Sequence, residues 1–195
     1  MKTMTSKIKT IQELDKHEHT CLIYKSNLEF LHCLIPFIRE GFKRNERCLI
    51  VLDEIKREDI IRSFKHIYRE GPIPAEDLSP SGRILIEQFK NIYLRNEKFS
   101  MEETIKFYIS STKKAIEDGY SGFRAFVEIS QSAKDLIGSD EFLKWEEYAD
   151  KCLSQIKGEN FQAVCAYNKK SFSDEYIEQI IKAHPVQIDL IGTRL

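Results

Sequence analysis

Cys48-Leu49-Ile50-Val51-Leu52 is an unbroken run of apolar side chains. A strand with one wet face alternates polar and apolar residues, so a run without alternation fits a strand covered on both faces, as in parallel sheets. Upstream, Cys21-Leu22-Ile23-Tyr24 is a shorter run of the same kind, and Ser26-Asn27-Leu28-Glu29 reads as a capping box opening a helix. Leu28, Leu31, Leu34, Ile35, Ile38 and Phe42 then recur at helical spacing, with Pro36 expected to kink or loosen the helix.

Downstream the same alternation continues. A helix is expected from about Ile55 to Tyr68, with Ile60, Ile61, Phe64 and Ile67 inward, followed by a proline-rich loop from Gly71 to Gly82. Arg83–Phe89 reads as a strand, and Ser100-Met101-Glu102-Glu103 caps a helix whose inner stripe is Ile105, Tyr108, Ile109, Thr112 and Ile116. Phe123–Ile129, Phe161–Tyr167 and Val186–Ile191 are further strands. Between them run helices Ser139–Lys157, with Phe142, Trp145, Ala149, Cys152, Leu153 and Ile156 inward, and Ser173–Ala183. Strands alternating with helices of this length predict crossover units. The expected fold is a three-layer α/β sandwich around a mostly parallel sheet, with the first, second, fourth and fifth strands central.

The chain has 195 residues, enough for one domain with a real core, and 1–195 is expected to be that domain with 1–15 flexible or peripheral. Lys plus Arg is 30 and Asp plus Glu is 31, a balance that argues against a nucleic-acid or anionic-membrane binder. No apolar run approaches the roughly 20 residues of a membrane span, and the N-terminus lacks a signal peptide's apolar stretch. A cytoplasmic protein is expected. The five cysteines (Cys21, Cys33, Cys48, Cys152, Cys165) contain no CxxC pair and read mostly as small buried hydrophobes.

Parallel α/β sheets place their sites at the carboxyl ends of strands. After the first strand comes Tyr24-Lys25-Ser26-Asn27, without the glycines that let backbone N–H groups cradle a phosphate. ATP hydrolysis is therefore not expected. No G-x-S-x-G elbow is present either. His19 and Cys21 share a strand face, either as a thiol–imidazole pair or as a buried cysteine beside a structural histidine. Arg124 and Glu128 share another, either as an internal ion pair or with the carboxylate offered to a ligand. Cys165 and Tyr167 form a third pair, and His184-Pro185 carries a helix stop signal. Tyr24, Glu128 and Tyr167 are expected to rim one pocket at the carboxyl edge, with His19 and Cys21 further down. The spacing of His19, Cys21, Cys48, Cys165 and His184 matches no metal template, so neither metal nor cofactor is expected.

His19-Thr20-Cys21-Leu22-Ile23-Tyr24 resembles the opening H-x-C-x-x-Y/F signature of the MEDS domain, the methanogen/methylotroph sensory domain. Pro36–Phe42, Asn45–Cys48, Tyr93-Leu94, Gly119–Arg124, Glu128, Glu146, Cys165-Ala166-Tyr167 and His184-Pro185 continue the resemblance in order over about residues 15–191. Gln131 and Trp145 depart from it. The resemblance implies a RecA/KaiC-like core that lacks the phosphate loop, and a non-catalytic sensory role with no output module in these residues. On that reading His19, Cys21, Tyr24, Arg124, Glu128, Cys165, Tyr167 and His184 bind a small organic ligand. The implied partner is a histidine kinase or a transcription regulator, with a homodimer as a further possibility. The alternatives are a degenerate nucleotide-binding protein and an enzyme using Cys21 or Glu128.

Overall fold

In the computed structural model, which describes residues 6–15, 18–67, 77, 82–155 and 160–193, the apolar runs lie side by side as parallel strands. β1 (Lys7–Lys9), β2 (His19–Tyr24), β3 (Glu46–Leu52), β4 (Ile84–Gln88), β7 (Gly122–Ile129), β8 (Phe161–Asn168) and β9 (Val186–Ile188) form one sheet in the order β1-β9-β2-β8-β7-β3-β4. Every pairing in it is parallel. β5 (Leu94–Arg95) and β6 (Lys98–Phe99) make a separate small hairpin. β2, β8, β7 and β3 adjoin one another in the interior, as their apolar runs predict, and β3 and β7 are buried at every position.

Helices cover both faces, which makes the three-layer sandwich. Against one face pack α1 (Asn27–Lys43) and α2 (Arg57–Ile67), around Phe30, Phe37, Phe64 and Phe126. The other face carries α3 (Phe89–Tyr93), α4 (Met101–Glu117), α5 (Gln131–Ile137), α6 (Ser139–Gln155) and α7 (Asp174–Ala183). Its core is richly aromatic, with Tyr93, Tyr108, Phe142, Trp145, Phe161 and Tyr167.

Local signals account for the helix starts. Ser26 Oγ accepts from Glu29 N–H, Ser100 Oγ from Glu103 N–H and Ser173 Oγ from Tyr176 N–H, each satisfying a donor that the first helical turn leaves free. α1 runs on through Pro36, which is buried. No helix among the described residues is long and apolar enough to cross a membrane.

Several expectations need correction. Leu28 and Ile116 are exposed, because they lie in the first turn of α1 and the last turn of α4, where the periodic stripe runs past the core. The last strand stops at Ile188. α3, the hairpin and α5 carry too few residues for a periodic signal and are not anticipated. Lys7–Lys9 is an edge strand on β9, and Ile11 and Leu14 are buried, so this part of the N-terminal segment is built into the fold. Apart from 77 and 82, the expected loop over 71–82 falls outside the described residues, as do Tyr68, Ile156 and the side chains of Ile67 and Leu153.

Candidate functional site

Strand register separates the expected site residues. Ile129, Tyr167 and Ile23 are register partners across β7, β8 and β2, and so are Glu128, Ala166 and Leu22. Partners share a face and alternate residues change face. Tyr24, Arg124 and Glu128 therefore lie on the α1/α2 face, while His19, Cys21, Cys165 and Tyr167 lie on the α6/α7 face. Tyr24, Glu128 and Tyr167 do not rim a common crevice.

On the α1/α2 face, the Arg124 guanidinium is buried and gives its Nε proton to Glu46 Oε2 at 2.7 Å. It also donates to the carbonyl of Phe37 and lies 4.4 Å from the centre of that residue's ring. Gly41 makes room for it, since a Cβ there would stand 2.8 Å from Arg124 Cδ and 2.6 Å from Cys48 Sγ. Arg124 thus pairs with Glu46, not with Glu128. The Glu128 carboxylate accepts from the backbone N–H groups of Asp53 at 3.0 Å and Ile55 at 3.0 Å, and from Ser130 Oγ at 3.2 Å. The Tyr24 hydroxyl lies 3.4 Å away. Asp53 answers reciprocally, accepting from the N–H groups of Ser130 and Ala133 at the start of α5. Burial pushes both carboxyls up, against the pull of these N–H donors. The two carboxylates brace the ends of β3 and β7 at the edge where the sequence places a pocket.

On the other face a polar group forms that the sequence reading does not assemble. His19 opens β2, Cys165 lies mid-β8, and His184 follows α7 directly before Pro185 and β9. β9 runs beside β2, with Val186 opposite Thr20, and this brings His184 next to His19, their rings 4.3 Å apart. Glu146 comes from α6 and is fully buried. Its Oε2 stands 3.1 Å from His19 Nε2 and 3.3 Å from His184 Nε2, and its Oε1 accepts from the Tyr167 hydroxyl. Cys165 Sγ lies 3.4 Å from His19 Nε2. Burial opposes the charge on Glu146, but the two imidazoles prevail and hold it well below the ordinary carboxylate range. Burial, then the neighbouring His184, pushes His19 down.

His19 and Cys165 also line a small cavity of about 20 Å³. Tyr93, Tyr108, Trp145 and Phe161 supply most of its wall, and the Tyr93 and Tyr108 hydroxyls lie 3.1 Å apart as mutual hydrogen-bond partners. The cavity sits beneath α4 and α6 near the amino ends of β2 and β8, not at the carboxyl edge. Cys21 shares this face, but burial pushes its thiol up to about 12, the reverse of what activates a nucleophile.

Glu146 is the residue that sequence reasoning missed as a site residue. It stands one position after Trp145 on a helix, where spacing alone gives no hint that its carboxylate turns inward to two histidines. A charge required to be buried needs a partner, and only the folded chain shows which.

A family model described as MEDS, the methanogen/methylotroph, DcmR sensory domain, matches residues 18–185, and this span includes every residue of both polar groups. No curated protein matches the chain.

Proposed function

From the premise that this chain belongs to the MEDS family of sensory domains, we propose that it binds a small, largely apolar organic molecule, without turning it over, and signals its presence to a partner protein. The observation that carries this reading is the small aromatic-lined cavity that includes His19 and Cys165. At about 20 Å³ it has room for little more than a water-sized group, so the ligand it fits has only a few heavy atoms. Aromatic walls supply contact area, and the imidazole and thiol supply the polar groups that orient a ligand. The partner is a histidine kinase or a transcription regulator, and a homodimer is the assembly to test first. A net charge of −1 fits a protein partner better than direct nucleic-acid contact.

The nucleotide alternative meets a physical obstacle. After β2, the N–H of Lys25 is given to the Glu29 carboxylate, and Glu29 N–H to Ser26 Oγ. After β3 and β7, Glu128 and Asp53 occupy the N–H groups. A phosphate would have to displace these carboxylates or approach them.

Thermal denaturation separates the readings, because a ligand of the native state alone raises the midpoint with concentration. Alcohols, thiols and halides of one to three carbons are tested beside ATP. At least one small-compound class is expected to raise the midpoint, ATP is not, and Ala163→Val, which fills the cavity from β8, is expected to remove the response. A response to ATP alone, or one that survives the valine, overturns the proposal.

A further inference from the structure

We propose that His19, Glu146, Cys165 and His184 form a tetrahedral site for a divalent transition metal of the zinc type. The donor set is two imidazoles, one thiolate and one carboxylate, and one donor atom from each residue lies within 4.8 Å of all the others. Zinc takes these ligands at about 2.0–2.3 Å, which places the donors of a tetrahedron about 3.3–3.8 Å from one another. Three of the separations here are 3.1, 3.3 and 3.4 Å. Closing the remaining ones on an ion takes side-chain shifts on the order of 1 Å or less.

The hydrogen bonding gives an independent reason. His184 Nδ1 lies 2.8 Å from the Ile180 carbonyl, and because a carbonyl only accepts, Nδ1 carries the proton. In the neutral ring, Nε2 then presents a lone pair toward Glu146 Oε2, itself an acceptor, at 3.3 Å. Only a second proton on the ring or a cation between the two atoms makes that contact attractive, and neither Glu146 Oε2 nor His184 Nε2 makes a hydrogen bond. Buried polar atoms without partners are rare and costly. A cation between them removes the conflict.

The outer shell is that of a metal site. The Ile180 carbonyl fixes the His184 tautomer, and the Tyr167 hydroxyl holds Glu146 through its other oxygen. Asp150 Oδ1 lies 3.9 Å from His19 Nδ1 and also lines an open groove of about 380 Å³ between α6 and α7. Charge balances as well. A carboxylate, a thiolate and two neutral imidazoles sum to −2, which a divalent ion cancels once the Cys165 proton has left to solvent. The assignment does not depend on the ligand proposal: with an ion bound, His19 and Cys165 are its ligands, and the Tyr93 and Tyr108 hydroxyls are the polar groups left to the cavity.

Cobalt(II) is the probe, added alone to the full chain freed of metal by a chelator. The expected result is one cobalt per chain, with visible bands of four-coordinate cobalt and a near-ultraviolet thiolate-to-cobalt charge-transfer band. Cys165→Ser is expected to remove the charge-transfer band, and His184→Ala to weaken binding by on the order of 100-fold or more. Tyr167→Phe keeps the packing, and is expected to weaken binding about 10-fold or more with the band in place. This variant decides the matter if the ligand variants fail to fold. Cys152→Ser, at a partly exposed thiol, is expected to change nothing. The proposal is overturned if the wild-type chain takes up no cobalt or shows no charge-transfer band. It is equally overturned if the band survives Cys165→Ser and disappears with Cys152→Ser, or if Tyr167→Phe binds as the wild type does.

Discussion

Glu128 and Glu146 are both almost fully buried carboxylates, at 1% and 0% exposure, on opposite faces of one sheet. Around Glu128 the hydrogen-bond partners are all donors: the Asp53, Glu54 and Ile55 N–H groups and the Ser130 and Tyr24 hydroxyls. Around Glu146, one oxygen has the Tyr167 hydroxyl, and the other meets two imidazole nitrogens without a completed hydrogen bond. A satisfied buried carboxylate explains itself by the loop it holds. An unsatisfied one raises the question of what else occupies its surroundings. The first is the bracing of two strand ends; the second is where ligand and metal chemistry are to be sought.

The largest effect expected on the satisfied face is that of Arg124→Ala. It leaves Glu46 buried without its cation and removes the donor to the Phe37 carbonyl, so a loss of about 3–5 kcal/mol is expected in urea denaturation. A loss below 1 kcal/mol would mean that solvent reaches this pair, and the contrast between the faces would weaken.

Glu128→Gln comes next. It keeps the shape but sets an NH₂ against backbone donors, with an expected cost of about 1–3 kcal/mol. The sign of its pH dependence follows from the raised carboxyl. In the pH range from the ordinary value of 4.5 up to its own pKa, Glu128 holds more protons folded than unfolded, so the wild type loses stability as pH rises and the glutamine variant does not. The wild type's advantage over the variant should thus be greatest on the acid side and shrink with rising pH. Cobalt uptake and the small-molecule response should stay as in the wild type. Their loss, with stability retained, would move the site back to the carboxyl edge.

The smallest effect tests the background. Lys106→Ala removes an exposed ion pair with Glu103 on α4, remote from both polar groups, and the denaturation midpoint should not move measurably. A clear shift would show that surface charge, not the buried groups, governs this helix layer.

Much of the architecture is legible in residue order. Cys48–Leu52 announces a strand covered on both faces, because a strand-length apolar run without alternation needs cover on both sides. Ser26, Ser100 and Ser173 announce helix starts, because capping is a contact between near neighbours in sequence. The site was legible only as a collection of parts. His19, Cys165, Tyr167 and His184 are recognisable as candidates, yet grouping Tyr167 with Tyr24 and Glu128 requires a register that strand ends alone do not supply. A shift of one residue in register sends a side chain to the other face.

By itself the sequence determined that alternating strands and helices make a layered α/β sheet, that no glycine-rich phosphate loop follows β2, and that the motifs resemble those of a sensory domain. These rest on short-range patterns, periodicity and local spacing, which the chain carries whatever its tertiary contacts. Only the tertiary structure decided that β9 lies beside β2, that Arg124 belongs to Glu46, and that Glu146 meets His19, His184 and Cys165. The residues of that last group lie as far apart in the chain as His19 and His184. Their meeting is set by strand order and helix packing, which depend on how the whole chain buries its apolar surface.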